Sequence, residues 1–135
     1  MKREEINILI RRAKSFEDYA KFALSREEYD LAMFHLDQAF QLNIKAKLLE
    51  LKGSYPRTHF LRVLLEELSN VFKKDEIKKI IEENKMTIRN LERAYITARY
   101  LPDSFFKEEV EEAQKLIEKI KKYYGNKKIK LGRKI

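Results

Sequence analysis

Only three glycines and two prolines punctuate 135 residues, and between them apolar side chains recur at intervals of three and four. A chain with so few breakers and that period is confined to helix, because strand alternation and turn chemistry are both missing. Ile6, Leu9, Ile10, Ala13, Phe16, Ala20 and Ala23 predict a first helix over about residues 3–24. The polar stretch SREEYD ends it near Ser25, and a second helix runs from about Tyr29 to Leu51 with Gly53 at its stop position. Pro56 then forces Tyr55 out of the helical region. Thr58 is expected to cap a third helix over about residues 59–72, its oxygen accepting a free N–H of the first turn. Asp75 is expected to cap a long fourth helix that carries Ile77, Ile80, Ile81, Ile88, Leu91 and Tyr95 and ends near Arg99. Pro102 stops it, and Asp103 or Ser104 is the expected cap of a last helix over about residues 105–124. That helix opens on Glu108, Glu109, Glu111 and Glu112 and closes on Lys115, Lys119, Lys121 and Lys122, the arrangement its dipole favours.

The expected fold is therefore all-α: an up-and-down antiparallel helical bundle of four long helices and one shorter one, over residues 1–124. Residues 125–135 are expected to be a flexible basic tail. The net charge of +8 has its source here: residues 121–135 hold seven Lys or Arg and no acid, and the rest of the chain is nearly neutral. The absence of cysteine excludes disulfides and thiolate chemistry, and Gly53, Gly125 and Gly132 are too far apart for a dinucleotide loop. His35 and His59 have no ligand spacing, so no metal is expected. No apolar run suits a membrane helix, and no secretory leader is read at the N-terminus. A soluble, cytoplasmic protein with no membrane association is expected. Its Lys- and Glu-rich composition also suits a thermophile.

Three local patterns add to this. The second helix carries Ala32-Met33-Phe34-His35-Leu36-Asp37-Gln38-Ala39, followed by Lys45-Ala46. The third opens on Pro56-Arg57-Thr58-His59-Phe60-Leu61, and the fourth ends on Tyr95-Ile96-Thr97-Ala98-Arg99-Tyr100-Leu101-Pro102-Asp103. In this order they resemble the HEPN family, the higher eukaryotes and prokaryotes nucleotide-binding domain, over about residues 10–124. The resemblance implies a helical bundle that pairs as a homodimer. It also implies a separately encoded minimal nucleotidyltransferase partner, in a toxin–antitoxin-like pair. Some members are metal-independent ribonucleases, with an Arg followed after four to six residues by a His. Arg99 matches that arginine, and no His stands in the window after it. Gln41 and Leu42 also stand where the family often shows an acidic–basic pair.

Arg99 is the first candidate for a phosphate clamp, since a guanidinium offers a planar fork of donors; pairing with Asp103 or the helix carbonyls is the alternative. Arg57 and His59 flank Thr58 and form either an anion site at a helix N-terminus or a brace for the turn. His35 is read as an interior or interface histidine, with an acid–base role beside Arg99 as the alternative. Gln38 and Lys45 lie seven apart on one helix and share a face, which lines a dimer seam, a polar cleft or solvent. Tyr95, Tyr100, Tyr123 and Tyr124 are aromatic surfaces for bases, with Tyr100 the best placed and Tyr95 read as core. The dimer seam is expected on the second helix, around Phe40.

These readings converge on a homodimeric module that binds a nucleotide, ATP or GTP, or an RNA phosphate near Arg99. It is expected to need no other cofactor and to lean away from catalysis. Two alternatives stand beside it. One is a metal-independent ribonuclease in which His35, His59 or Tyr100 replaces the missing histidine. The other is a helical adaptor that docks through its basic tail.

Overall fold

The computed structural model describes residues 2–102 and 104–133, with side chains through Gly125. Asp103, read above as a cap and as a ligand residue, lies outside the described residues. Six helices follow in order: α1 (Lys2–Ser25), α2 (Tyr29–Lys52), α3 (Leu61–Phe72), α4 (Asp75–Glu83), α5 (Lys85–Tyr100) and α6 (Lys107–Arg133). No strand occurs among the described residues, so the chain is all-α as expected, with six helices in place of five.

The extra helix comes from a break at Asn84. Its side-chain amide donates to the Ile80 carbonyl at 2.8 Å, and its backbone sits at φ −125°, ψ 28°. A short amide that bonds its own helix backbone offers a local alternative to continued α-helix. The long fourth helix of the sequence reading is thus two, α4 and α5. Other ends shift as well. Asp75 is the first residue of α4 and makes no side-chain cap; Lys74 holds the cap position. Thr58 lies outside α3, where its hydroxyl accepts the Phe60 N–H at 3.1 Å, and Phe60 holds the cap position. Ser104 is not the cap of α6: the Phe106 N–H donates to Glu109 Oε1 at 2.8 Å, half of a capping box. The helix then runs through Gly125 to Arg133, beyond the expected end near residue 124.

α1 and α2 form a hairpin. The Ser25 hydroxyl donates to the Phe22 carbonyl at 2.6 Å, the Glu28 N–H donates to the Ala23 carbonyl at 2.9 Å, and Glu27 takes a left-handed φ of 60° between them. Gly53 ends α2 at φ 83°, a conformation that favours glycine, and its N–H donates to the Leu49 carbonyl at 3.0 Å.

α2 is the centre of the molecule and packs on α1, α3, α5 and α6. It is buried on nearly every side, through Met33, Phe40, Ile44 and Leu48 but also through Asp37, Gln41 and Lys47. This corrects the expected seam. Phe40 is 1% exposed, and its ring centroid lies 6.3 Å from that of Tyr124. A helix enclosed by four neighbours has no outward apolar face, so a residue off its main stripe is still core. Leu61, Leu64, Leu65 and Leu68 of α3 and Val110, Ala113, Leu116 and Ile120 of α6 close the same core. Tyr123 and Tyr124 belong to it, which removes both from the surfaces open to a base. No helix among the described residues is long and apolar enough to cross a membrane.

Candidate functional site

The candidate residues lie on α2, on α5 and on the loop joining α2 to α3. On α2, Phe34, Gln38, Gln41 and Lys45 recur at four, three and four, which sets them on one face. On α5, Glu92, Tyr95 and Arg99 recur at three and four, and α5 packs on α2. The loop carries Tyr55, Arg57 and His59.

Arg99 and Tyr95 act as a unit. Arg99 donates from Nη1 to the Tyr95 hydroxyl at 2.9 Å, and its guanidinium carbon lies 4.8 Å from the ring centroid. Both contacts orient the guanidinium while leaving most of its donors unused. Tyr95, expected in the core, is half-buried instead. His59 is exposed, and its ring stacks on Tyr95 with centroids 5.0 Å apart and planes at 24°. The Phe60 ring centroid lies 4.7 Å from that of His59, and the Phe34 centroid 6.4 Å from that of Tyr95. Three of the residues singled out from sequence, Arg99, Tyr95 and His59, therefore meet, although they come from two separate segments. Tyr100 is 69% exposed beside them.

His35 is not part of this cluster. Its ring contacts are with Phe16, Tyr19 and Phe34, at 5.7, 5.5 and 5.2 Å. Burial lowers its pKa, and its Nδ1 has no hydrogen-bond partner. A histidine held among rings and biased toward the neutral form fits the interior reading.

A second group, around Asp37, is polar. Asp37 is fully buried and accepts the Gln41 amide at 2.8 Å, while its Oδ1 has no partner. Burial pushes its carboxyl well above the usual range, and the charge of Glu92 pushes it further; Gln41, Gln38 and Lys45 act against this. Asp37 is thus biased toward its neutral, protonated form. Lys45 is half-buried, and its pKa is lowered by that burial and by the nearby charge of Arg57, with Asp37 opposing. Its ammonium lies 5.5 Å from the Tyr55 ring centroid. Gln38, Gln41 and Lys45 therefore gather around Asp37, and Arg57 lies within electrostatic reach of Lys45. Sequence reading passed over Asp37 and Glu92 as site residues, and the available signal for Asp37 was an acid in the middle of α2 at helical spacing from the apolar Met33 and Phe40.

The N-terminus of α3 already has a carboxylate partner. The Arg62 N–H in the first turn of α3 donates to Glu92 Oε2 at 2.9 Å. A carboxylate from α5 takes the place of an external anion there, which corrects the reading of Arg57 and His59 as flanking an open N-terminal anion site. Among the described residues, no group of three or more His, Cys, Asp or Glu side chains is placed to hold a metal ion.

The model of the HEPN domain family matches residues 6–128, and the chain belongs to that family. Membership implies a function related to nucleotides or RNA, and domains of this family commonly dimerise. No curated protein and no solved structure matches the chain significantly.

Proposed function

We propose that the protein is a homodimeric HEPN module that binds a nucleotide, ATP or GTP, or an RNA phosphate at the Arg99–Tyr95–His59 cluster. It acts in the cytoplasm with a separately encoded minimal nucleotidyltransferase, as in a toxin–antitoxin pair. The observation that carries this reading is the propped guanidinium. Arg99 is exposed and bonded once to Tyr95 at 2.9 Å; the Tyr95 ring stacks on the exposed His59, and Tyr100, 69% exposed, follows Arg99 in the chain. Phosphate takes the free donors, and a ring gives the base a stacking partner. Tyr19 and Phe22 on α1, 53% and 66% exposed, supply apolar surface for pairing. The test is calorimetric titration with ATP and GTP, wild type beside Arg99→Ala. Binding lost in the variant supports the site, and no heat in the wild type removes the mononucleotide reading.

A second reading is favoured by the same stack. Members that cleave RNA pair their arginine with a histidine a few residues on, and here His59 comes to the arginine from another segment, through Tyr95. In this reading His59 is the acid–base group and Arg99 the phosphate ligand of a metal-independent ribonuclease. Incubation with structured RNA in EDTA tests it. Cleavage that disappears in both His59→Ala and Arg99→Ala supports it, and intact RNA at high protein concentration refutes it.

A further inference from the structure

The outward face of α5 is sorted by charge. Its exposed cations are Lys85, Arg89, Arg93 and Arg99, its other exposed residues are Met86, Ile96 and Tyr100, and none is acidic. Elsewhere the surface is mixed; on α4, for example, Lys78 and Lys79 sit among Glu76, Glu82 and Glu83. The one carboxylate of α5 itself is Glu92, which is half-buried and accepts the Arg62 N–H at 2.9 Å. Lys85 meets Glu82 at 3.2 Å, a pair about two-thirds exposed on both sides that separates at little cost. Arg89 and Arg93 have no ion pair among the described residues. At the N-terminal end of the face, Arg62, Lys85 and Arg89 line a hollow of ≈ 470 Å³ together with Ile81, Ile88 and Glu92.

We propose that this face is a track for the phosphate backbone of RNA, running from the Arg62–Lys85–Arg89 hollow to Arg99. The inference rests on the reading of Arg99 as a phosphate ligand and gives that site its substrate class, a polymer rather than a mononucleotide. Length supports this. From Lys85 to Arg99 the helix rises about 21 Å at 1.5 Å per residue, the axial length of roughly six phosphates of one strand. A single nucleotide reaches one end only. The interleaved Ile96 and Tyr100 meet sugar and base surface, as in single-strand binders. A second copy of the chain is the poorer occupant. In a two-fold interface the same patch faces itself, so four cations would oppose four cations with no acid between them.

The test is fluorescence anisotropy with a labelled 20-nucleotide RNA over a range of salt, on wild type, Arg89→Gln/Arg93→Gln and Arg99→Ala. Both arginines are exposed and glutamine is a good helix former, so the double variant keeps its fold, as a circular-dichroism melt verifies. The expected result is at least a tenfold loss of RNA affinity in the double variant, with the salt slope smaller by about 1.5, the loss of two phosphate contacts. ATP binding, read by calorimetry, stays as in wild type. Unchanged RNA affinity and slope in the double variant overturn the track and leave the Arg99 site standing. The reverse pattern, with RNA binding lost in the double variant and unaffected by Arg99→Ala, keeps the track and refutes the Arg99 reading. Binding of poly-glutamate that is lost in the double variant while RNA binding persists also overturns the track, and assigns the face to an acidic protein.

Discussion

The ring of His59 lies nearly parallel to that of Tyr95, 5.0 Å away, and the Tyr95 hydroxyl accepts a hydrogen bond from Arg99 at 2.9 Å. His59 sits in a loop and Tyr95 on α5, with α3 and α4 between them in the chain. Stacking brings an imidazole from a separate segment to the tyrosine that holds the guanidinium. Arg99→Ala removes the charged donor and is expected to weaken nucleotide binding by about 1.5–3 kcal/mol, roughly ten- to a hundredfold. Tyr95→Phe keeps the ring and loses the prop, so it should give a smaller loss in the same titration. An equal loss in both variants would mean that the hydroxyl itself touches the ligand.

If the protein cleaves RNA without metal, His59→Ala is expected to lower the rate by roughly 10²–10⁴, the usual contribution of a general acid–base group. His35→Ala should leave the rate within a fewfold of wild type, since His35 packs against Phe16, Tyr19 and Phe34. Single-turnover cleavage in EDTA measures both. A larger effect at His35 would reverse the assignment.

Asp37 makes a prediction about pH. Its carboxyl in the folded chain titrates well above its ordinary value of 3.8 because it is buried beside Glu92. The native state therefore holds that proton more tightly than the unfolded state. The stability linked to it is complete below about pH 3.8 and is lost as pH rises toward the folded-state pKa. Asp37→Asn keeps an acceptor for the Gln41 amide and carries no charge, so it should raise the melting temperature at pH 7, by ~3–5 °C for each kcal/mol gained. The gain should shrink toward zero below pH 4. Melting curves at pH 3.5, 5 and 7 decide, and a gain independent of pH would show that ionisation is not its source.

Glu92 caps α3 from a distance. Glu92→Ala is expected to cost ~1 kcal/mol, in the range for loss of an N-terminal cap, and to expose the amides of Arg62 and its neighbours to faster hydrogen exchange. Exchange confined to α5 would contradict the cap.

Phe40 separates core from seam. Phe40→Ala is expected to cost roughly 3–5 kcal/mol, and Phe40→Glu to prevent folding, because the side chain is enclosed by the bundle. Phe22→Glu, by contrast, should stay folded and lose the dimer. Chemical denaturation and light scattering read the two effects. A folded monomer from Phe40→Glu would restore the second helix as the seam.

Much of the architecture was legible along the chain because helix formation is local. The three–four periodicity, the Gly53 stop and the charge sorting of α6 act within a turn or two, so the existence and order of the helices follow from residues close in sequence. The three segments that mark the HEPN family are local as well. Local rules failed where a distant group competed. They assigned Thr58 a helix end that Glu92 caps, and they read Phe40 as outward on a helix that four neighbours enclose. Asn84 was missed because its bond to Ile80 looks, in sequence, like one more polar residue in a long helix. By itself the sequence determined an all-helical chain with an arginine at the end of a marked helix. Only the tertiary structure decided that His59 stacks beside that arginine's tyrosine, that Asp37 is buried toward its neutral form, and that one face of α5 is left purely cationic. Those facts depend on how helices rotate and pack against one another, and that packing is set by the summed burial of many side chains rather than by any short pattern.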